Sequence, residues 1–264
     1  MAGELIYNRV QERATRRQTE QAFGSRHADV LLEAPMERRE PTLESAPPAS
    51  PPHIPSAAGD PRIDYVVEVR GAAAATLQAH WSGIERRFGR RAGLSESGGA
   101  VHATFQMVSR NGVAGEAELL EFRTEVETLA VAHGAAVSAP PMREALDAAQ
   151  ALDRACADVD VQIALHVLGP VEVELRGGEG FSVARREGGV TLLLDVPRTP
   201  DLGGSYAAMT RAARRLGGRV VDDNGNALDE RALGAIGAEV EALRMRLGEI
   251  GIEPGSPLAL RLFS

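Results

Sequence analysis

Hydrophobic and polar residues begin to alternate with a regular period only after Arg62. From Ile63 to Val69 the side chains at every second position are apolar, which predicts a β-strand with one buried face. A helix is predicted next, because apolar residues follow at intervals of 4, 3 and 4 and form one buried stripe. That stripe is Leu77, Trp81, Ile84 and Phe88.

The pattern continues through a strand around Val101 to Ser109 and an Asn-Gly turn at 111–112. Gly134 is predicted to end the following helix, and Pro140 with Pro141 to open the next one after a short strand. The inward stripe of the first of these helices is Leu119, Phe122, Val126 and Leu129. That of the second is Met142, Leu146, Ala149, Leu152 and Cys156.

The order of elements then begins again. The segment from Val159 to Leu165 aligns with the first strand at an offset of 96 residues, and that from Val190 to Arg198 aligns with the segment ending at Arg110 at an offset of 88. We therefore predict a tandem duplication of a β-α-β-β-α-β-α unit. The second copy differs at one place, between Val167 and Phe181, where the first helix of the unit is predicted to be missing.

The last long helix carries a continuous apolar seam, with Asp229 as a candidate N-cap. The seam is Leu233, Ile236, Val240, Leu243, Leu247 and Ile250. It would suit a coiled-coil dimer, but a seam of under three heptads beside a sheet favours intramolecular packing. The closing LALRLF alternates and is predicted to add an edge strand.

Together these patterns predict an α+β fold, a split β-α-β antiparallel sheet with helices packed on one face, in two tandem related units at 62–157 and 158–264. Residues 34–61 hold eight of the chain's 15 prolines and are predicted to be a Pro-rich disordered linker. Residues 1–33 are predicted to be a basic helical tail. Its basic side chains form a local cluster of the kind that commonly flanks the cytoplasmic end of a membrane helix. The alternative is a solvated helical tail.

The composition of the chain excludes some classes of function. The chain has 264 residues and a net charge of -8, which disfavours a bulk-electrostatic nucleic-acid binder. All 29 of its Lys and Arg positions are Arg, and we interpret this as genome composition rather than phosphate recognition. The single cysteine, Cys156, excludes an internal disulfide and is predicted to be a core residue rather than a nucleophile. No apolar run approaches the length of a membrane span, so the chain as given is expected to be soluble and cytoplasmic.

Candidate catalytic chemistry is sparse. The six histidines lack metal-ligand spacing, and no phosphate-binding loop or nucleophile elbow is present. Asp222 and Asp223 are adjacent carboxylates, but neighbours on a strand point to opposite faces, and turn chemistry with Asn224 and Gly225 explains them better. We therefore expect that the protein is not an enzyme and has no catalytic residue, and that it binds no metal, no cofactor and no small-molecule substrate.

The residues of the last third nevertheless resemble a known family. GVTLLLDVPR, LGGRVVDDNGNALDE and GIEPGSPLALRLFS are similar to the FtsZ-binding domain of the cell-division protein ZipA, particularly its β-proteobacterial forms. DVDVQIALHV looks like the first strand of that domain. YNRVQERATRRQTEQAFGSRHADVLL looks like the basic stretch that in this family directly follows an N-terminal membrane helix and precedes a Pro-rich linker.

The resemblance implies a cell-division protein that binds the FtsZ C-terminal peptide on an apolar sheet face and helps link the Z ring to the inner membrane during septum assembly. Localisation at the cytoplasmic face of that membrane would need an N-terminal span that this chain lacks. By strand register the implied peptide-binding residues are Gln162, Ala164, His166, Ser182, Ala184, Thr191, Leu193 and Asp195. The alternatives are plain solvent-facing strand residues, and a non-catalytic interaction protein of the same fold that engages another protein partner.

Overall fold

The computed structural model describes residues 59–169 and 180–264. The predicted tail at 1–33 and nearly all of the predicted linker lie outside the described residues. So does the segment 170–179, where the first helix of the second unit is predicted to be missing.

The first unit contains six strands and four helices, joined in places by tight turns. In chain order they are β1 (Asp64–Arg70), α1 (Ala74–His80), α2 (Ser82–Phe88), β2 (Ala92–Ser97), β3 (Ala100–Gln106), β4 (Val108–Ser109), β5 (Gly112–Val113), α3 (Glu116–Ala132), β6 (Ala136–Ser138) and α4 (Met142–Ala157). The described part of the second unit contains four strands and three helices. They are β7 (Gln162–Leu168), β8 (Ser182–Arg186), β9 (Gly189–Asp195), α5 (Leu202–Arg215), β10 (Arg219–Val221), α6 (Glu230–Glu249) and α7 (Pro257–Leu262).

Both units build the same antiparallel sheet, which confirms the α+β class. The strand order is β2-β3-β1-β6 in the first sheet and β8-β9-β7-β10 in the second, so equivalent strands take equivalent places. The short hairpin β4–β5 stands apart from both sheets. The helices also take equivalent places along the chain. In the first unit α3 precedes the edge strand β6 and α4 follows it, and in the second unit α5 precedes the edge strand β10 and α6 follows it.

The register of the repeat differs from the one aligned on sequence. Strand bounds relate β7 to β1 by 98 residues, from 64 to 162, and β9 to β3 by 89 residues, from 100 to 189. The backbone bonds agree, since Met107 N donates to Ile63 O and Val196 N donates to Val161 O at the equivalent place. The offsets of 96 and 88 were therefore wrong. The alignment of β7 was off by two residues, and a shift of two leaves the alternation of apolar side chains unchanged. The alignment of β9 was off by one residue. Because β9 is apolar on both faces, its hydrophobic pattern does not distinguish two registers that differ by one.

One face of each sheet is buried against helices in a core shared by the two units. In the first unit the core is aromatic, with the rings of Phe105 and Phe122 stacked at 4.9 Å between centroids. In the second unit it is aliphatic and is completed by α5 and α6, which Tyr206 joins by donating its hydroxyl to Leu233 O at 2.7 Å. The intramolecular role of the α6 seam is confirmed, because five of its six residues are buried.

Two predictions of secondary structure need correction, one of a helix and one of a strand. The predicted helix through Leu77 and Phe88 is two helices, since Trp81 N donates to Gln78 O in a tighter turn before the ladder resumes at Glu85. The predicted edge strand at the C-terminus is the helix α7. There Ser256 Oγ accepts from Ala259 N at 3.2 Å, and Pro257 stands where its missing N–H costs nothing.

Helical spacing explains why α7 forms. Ala259, Leu262 and Phe263 are each at most 2% exposed and lie three and four residues apart, so a helix buries all three, whereas a strand would divide them between two faces. No helix in the described ranges has both the length and the apolar character that crossing a bilayer demands.

Cys156 is a core residue, as predicted. Its side chain is buried, and burial, with Asp153 and Asp160 nearby, raises the pKa of the thiol to about 12. A thiol held in its neutral form at physiological pH is a poor nucleophile.

Candidate functional site

All eight residues predicted to bind the peptide lie on one face of the second sheet. The cross-strand partners run in rows: Gln162 beside Asp195, Ala164 beside Leu193 and Ser182, and His166 beside Thr191 and Ala184. We call this surface the open face, because none of its residues points toward the helices. The opposite face is buried in the core and consists of Ile163, Leu165, Val167, Val190, Leu192 and Leu194.

The centre of the open face is weakly apolar. Leu193 is half-buried there, between half-buried Ala164 on the central strand and exposed Ser182 on the edge strand. Ala184, also exposed, widens this surface toward the next row. Small side chains around one large aliphatic side chain leave a shallow surface that an extended chain can cover.

One end of the open face is closed by an ion pair. Arg110, from the β4–β5 turn of the first unit, donates to both oxygens of Asp195 at 2.7 and 2.9 Å. Gln162 Nε2 donates to the same carboxylate at 3.0 Å. The carboxylate of Asp195 is therefore already bound by residues of the chain itself. Asp195 marks the end of the open face and is not a free group for contact with a peptide.

The other end of the open face is built on His166. Its Nε2 lies 2.9 Å from Asp223 Oδ1, and its Nδ1 lies 2.8 Å from both Thr191 Oγ1 and Arg186 Nη1. A guanidinium can only donate, so Nδ1 must carry the lone pair and Nε2 the proton. His166 is thereby fixed as the neutral tautomer that donates to Asp223 and accepts from Arg186.

Asp223, His166 and Thr191 are hydrogen-bonded in series, as are the carboxylate, imidazole and hydroxyl groups of a proton relay that activates a hydroxyl. A relay needs the Nδ1 lone pair to be available to the Thr191 proton, and Arg186 donates to that same nitrogen. The arrangement is better suited to holding Arg186 in place than to activating Thr191. In residues 59–169 and 180–264, no group of three His, Cys, Asp or Glu side chains is placed to hold a metal ion.

The adjacent turn follows the predicted chemistry. Asp222 Oδ1 accepts from the backbone N–H groups of Asn224 and Asn226, both at 2.8 Å, and this fixes the loop that presents Asp223. Burial alone would raise the pKa of Asp222. The hydrogen bonds from Asn226, Asn224 and Gly225 outweigh it and hold that pKa below its usual value.

The equivalent face of the first sheet is more covered. Thr104, which stands where Leu193 stands in the second unit, is 3% exposed, and Gly59 lies directly against its methyl group. Asp64 and Gln106, the equivalents of Gln162 and Asp195, are also buried and are contacted by Arg261 of α7. Of the two related faces, the second unit therefore carries the accessible one.

No family model matches this sequence, and no curated protein matches it either. The resemblance to the ZipA family thus stays a prediction from the residues of the chain. Sequence reasoning missed three residues that shape the open face, Arg110, Arg186 and Asp223. The alternation of β8 could have placed Arg186 beside Ser182 and Ala184, but nothing local links Arg110 to Asp195, 85 residues away.

Proposed function

We propose that this protein binds the C-terminal peptide of FtsZ on the open face, and that it helps link the Z ring to the inner membrane during septum assembly. The observation that carries the proposal is the half-exposed Leu193 at the centre of a sheet face that the described helices leave uncovered. An extended peptide can lay apolar side chains over such a surface, and its removal of apolar area from water drives association.

The size of the surface limits the affinity. Covering about 500 Å² of apolar surface gives roughly 12 kcal/mol before costs at about 25 cal/mol per Å². Ordering a flexible peptide and losing translational freedom remove about half of this or more. Binding is therefore expected to be micromolar for a single peptide, and stronger when many FtsZ tails are presented by one polymer.

The test is a fluorescence anisotropy titration of the full chain with a labelled FtsZ C-terminal peptide. Leu193→Glu should weaken binding at least about tenfold, because a charge replaces the apolar centre of the face. Leu120→Glu is the matched control, since Leu120 is a leucine 50% exposed on α3 of the first unit. Circular dichroism should show both variants folded.

Two results would contradict the proposal. One is the absence of binding by the unaltered chain at high micromolar peptide, which would favour a protein of this fold that engages a different partner. The other is an equal loss of binding in the Leu193 and Leu120 variants.

A further inference from the structure

Arg186 is held in an unusual way at the end of the open face. Its backbone position pairs with Gly189 and follows Ser182 and Ala184 at two-residue steps, so its side chain shares their face. Nη1 donates to the neutral Nδ1 of His166 at 2.8 Å, and His166 is anchored in turn by Asp223. The guanidinium is therefore positioned without a carboxylate in direct contact among the described residues.

Several other arginines of the described ranges form ion pairs with carboxylates. Among them are Arg91 with Glu118, Arg110 with Asp160 and Asp195, and Arg261 with Asp64. An arginine paired in this way has its charge compensated within the protein. Arg186 keeps its charge while losing part of its freedom, which is the condition in which a guanidinium binds an incoming carboxylate well.

A second arginine stands in the same row of the sheet. Arg219 of β10 pairs with Leu168, Leu168 pairs with Gly189, and Gly189 pairs with Arg186. Both arginines are exposed, and between them lie Gly189, which presents no side chain, and the half-buried Leu168. Among the described residues, the nearby carboxylates are Asp223, which accepts from His166, and the exposed Glu187 of the β8–β9 turn. This end of the face therefore presents two exposed guanidinium groups.

We propose that Arg186, positioned by His166 and Asp223 and assisted by Arg219, binds a carboxylate of the extended peptide whose apolar side chains cover Leu193. This inference rests on the proposed function. Leu193 and Gly189 are four residues apart on β9, a distance of about 13 Å along a strand. A peptide that runs along the strands therefore places its acidic group about four residues from its apolar anchor.

The test compares two peptides and two variants of the full chain. One peptide is the FtsZ C-terminal segment, and the other is the same segment with Asn for Asp, Gln for Glu and a C-terminal amide. Arg186→Gln is compared with Arg185→Gln, which makes the same charge change on the neighbouring residue of the same strand. Arg185 pairs with Val190 and so points to the opposite face.

Arg186→Gln should weaken binding of the carboxylate peptide about tenfold or more, while Arg185→Gln should change it by less than about twofold. For the neutral peptide the two variants should bind alike, because the carboxylate that Arg186 would contact is gone. A purely structural role for Arg186 would weaken both peptides equally.

Asp223 provides a further readout. Asp223→Asn keeps an oxygen that can accept from His166 Nε2 and should preserve the carboxylate preference, whereas Asp223→Leu should reduce it. Equal preference in the two Asp223 variants would overturn the positioning role.

The outcomes separate the two proposals. If the unaltered chain binds neither peptide, both proposals fail. If it binds the carboxylate peptide but the Arg186 and Arg185 variants behave alike, or if the loss at Arg186 is the same for both peptides, only the role of Arg186 fails.

Discussion

Arg110 and Asp195 lie 85 residues apart in the chain and belong to different units, yet they form a two-pronged ion pair at 2.7 and 2.9 Å. The same guanidinium donates to Asp160 at the entry to β7. Burial alone would lower the pKa of Arg110, but hydrogen bonds to Asp195 and Asp160 outweigh it and raise that pKa. This cluster ties the hairpin of the first unit to two strands of the second.

Replacing Arg110 should be strongly destabilising. Arg110→Met leaves the carboxylates of Asp160 and Asp195 facing each other at sites that are only 11% and 20% exposed. We expect the free energy of unfolding to fall by about 3 kcal/mol, measured by urea denaturation. Arg143→Met is the control, because Arg143 is 90% exposed and its 3.7 Å pair with Asp147 should contribute less than about 0.5 kcal/mol. Equal losses in the two variants would show that the Arg110 cluster carries no special weight.

The equivalent place in the first unit carries a related cluster. Arg261 of α7 donates to Asp64, whose side chain is fully buried, and Gln106 lies beside both. Arg261→Met should lower the free energy of unfolding by about 3 to 5 kcal/mol, because it leaves a buried charge without its partner. Adding Asp64→Asn should restore part of that loss in a double-mutant cycle, since the uncompensated charge is removed. A double variant less stable than Arg261→Met would contradict this explanation.

Gly255 should be more sensitive to substitution than Gly251. Both have a positive φ, of 71° and 72°, so alanine strains the backbone equally at the two positions. A Cβ on Gly255 would lie 2.5 Å from Pro200 N, whereas one on Gly251 meets no atom within 4 Å. Thermal denaturation should show Gly255→Ala destabilised by about 1 to 3 kcal/mol more than Gly251→Ala. Equal melting temperatures would mean that the loop relaxes away from Pro200.

Asp222 should make stability depend on pH. Its pKa is lowered in the folded state, so its contribution is present above the pKa of the unfolded chain and is lost as pH falls through the folded value. Asp222→Asn should therefore be less stable than the unaltered chain at pH 7, by about 1 to 2 kcal/mol. The difference should shrink as the pH falls to about 3 in parallel urea titrations. A difference that stays constant with pH would exclude the ionised carboxylate as its source.

Much of the fold follows from the sequence because its signals are local. Alternation located β1, β7 and β9, Asp229 caps α6 through its Oδ1 as predicted, and Gly134 ends α3 with a positive φ. The strand β2 was not located, since AGLSES is small and polar and lacks the apolar alternation of its neighbours. It becomes a strand through its pairing with β3, which is a tertiary contact.

Some features of the candidate site could likewise be predicted from local sequence, and others depend on tertiary contacts. The alternation of β7 and β9 was enough to place Leu193 and Ala164 on the face away from the core, because side chains on a strand alternate strictly. Whether that face is accessible could not be deduced from alternation, since its equivalent in the first unit has the same pattern and is covered by Gly59 and Arg261. The partners of Asp195 and His166 also come from distant segments.

The sequence by itself therefore determined the two α+β units, the faces of their strands and the residues at the centre of the open face. Tertiary structure alone decided which of the two sheet faces stays accessible and which charges are neutralised internally. The physical reason is the range of the forces involved. Alternation and capping act between residues a few positions apart, whereas burial of a face and the pairing of Arg110 or Arg186 depend on segments that only folding brings together.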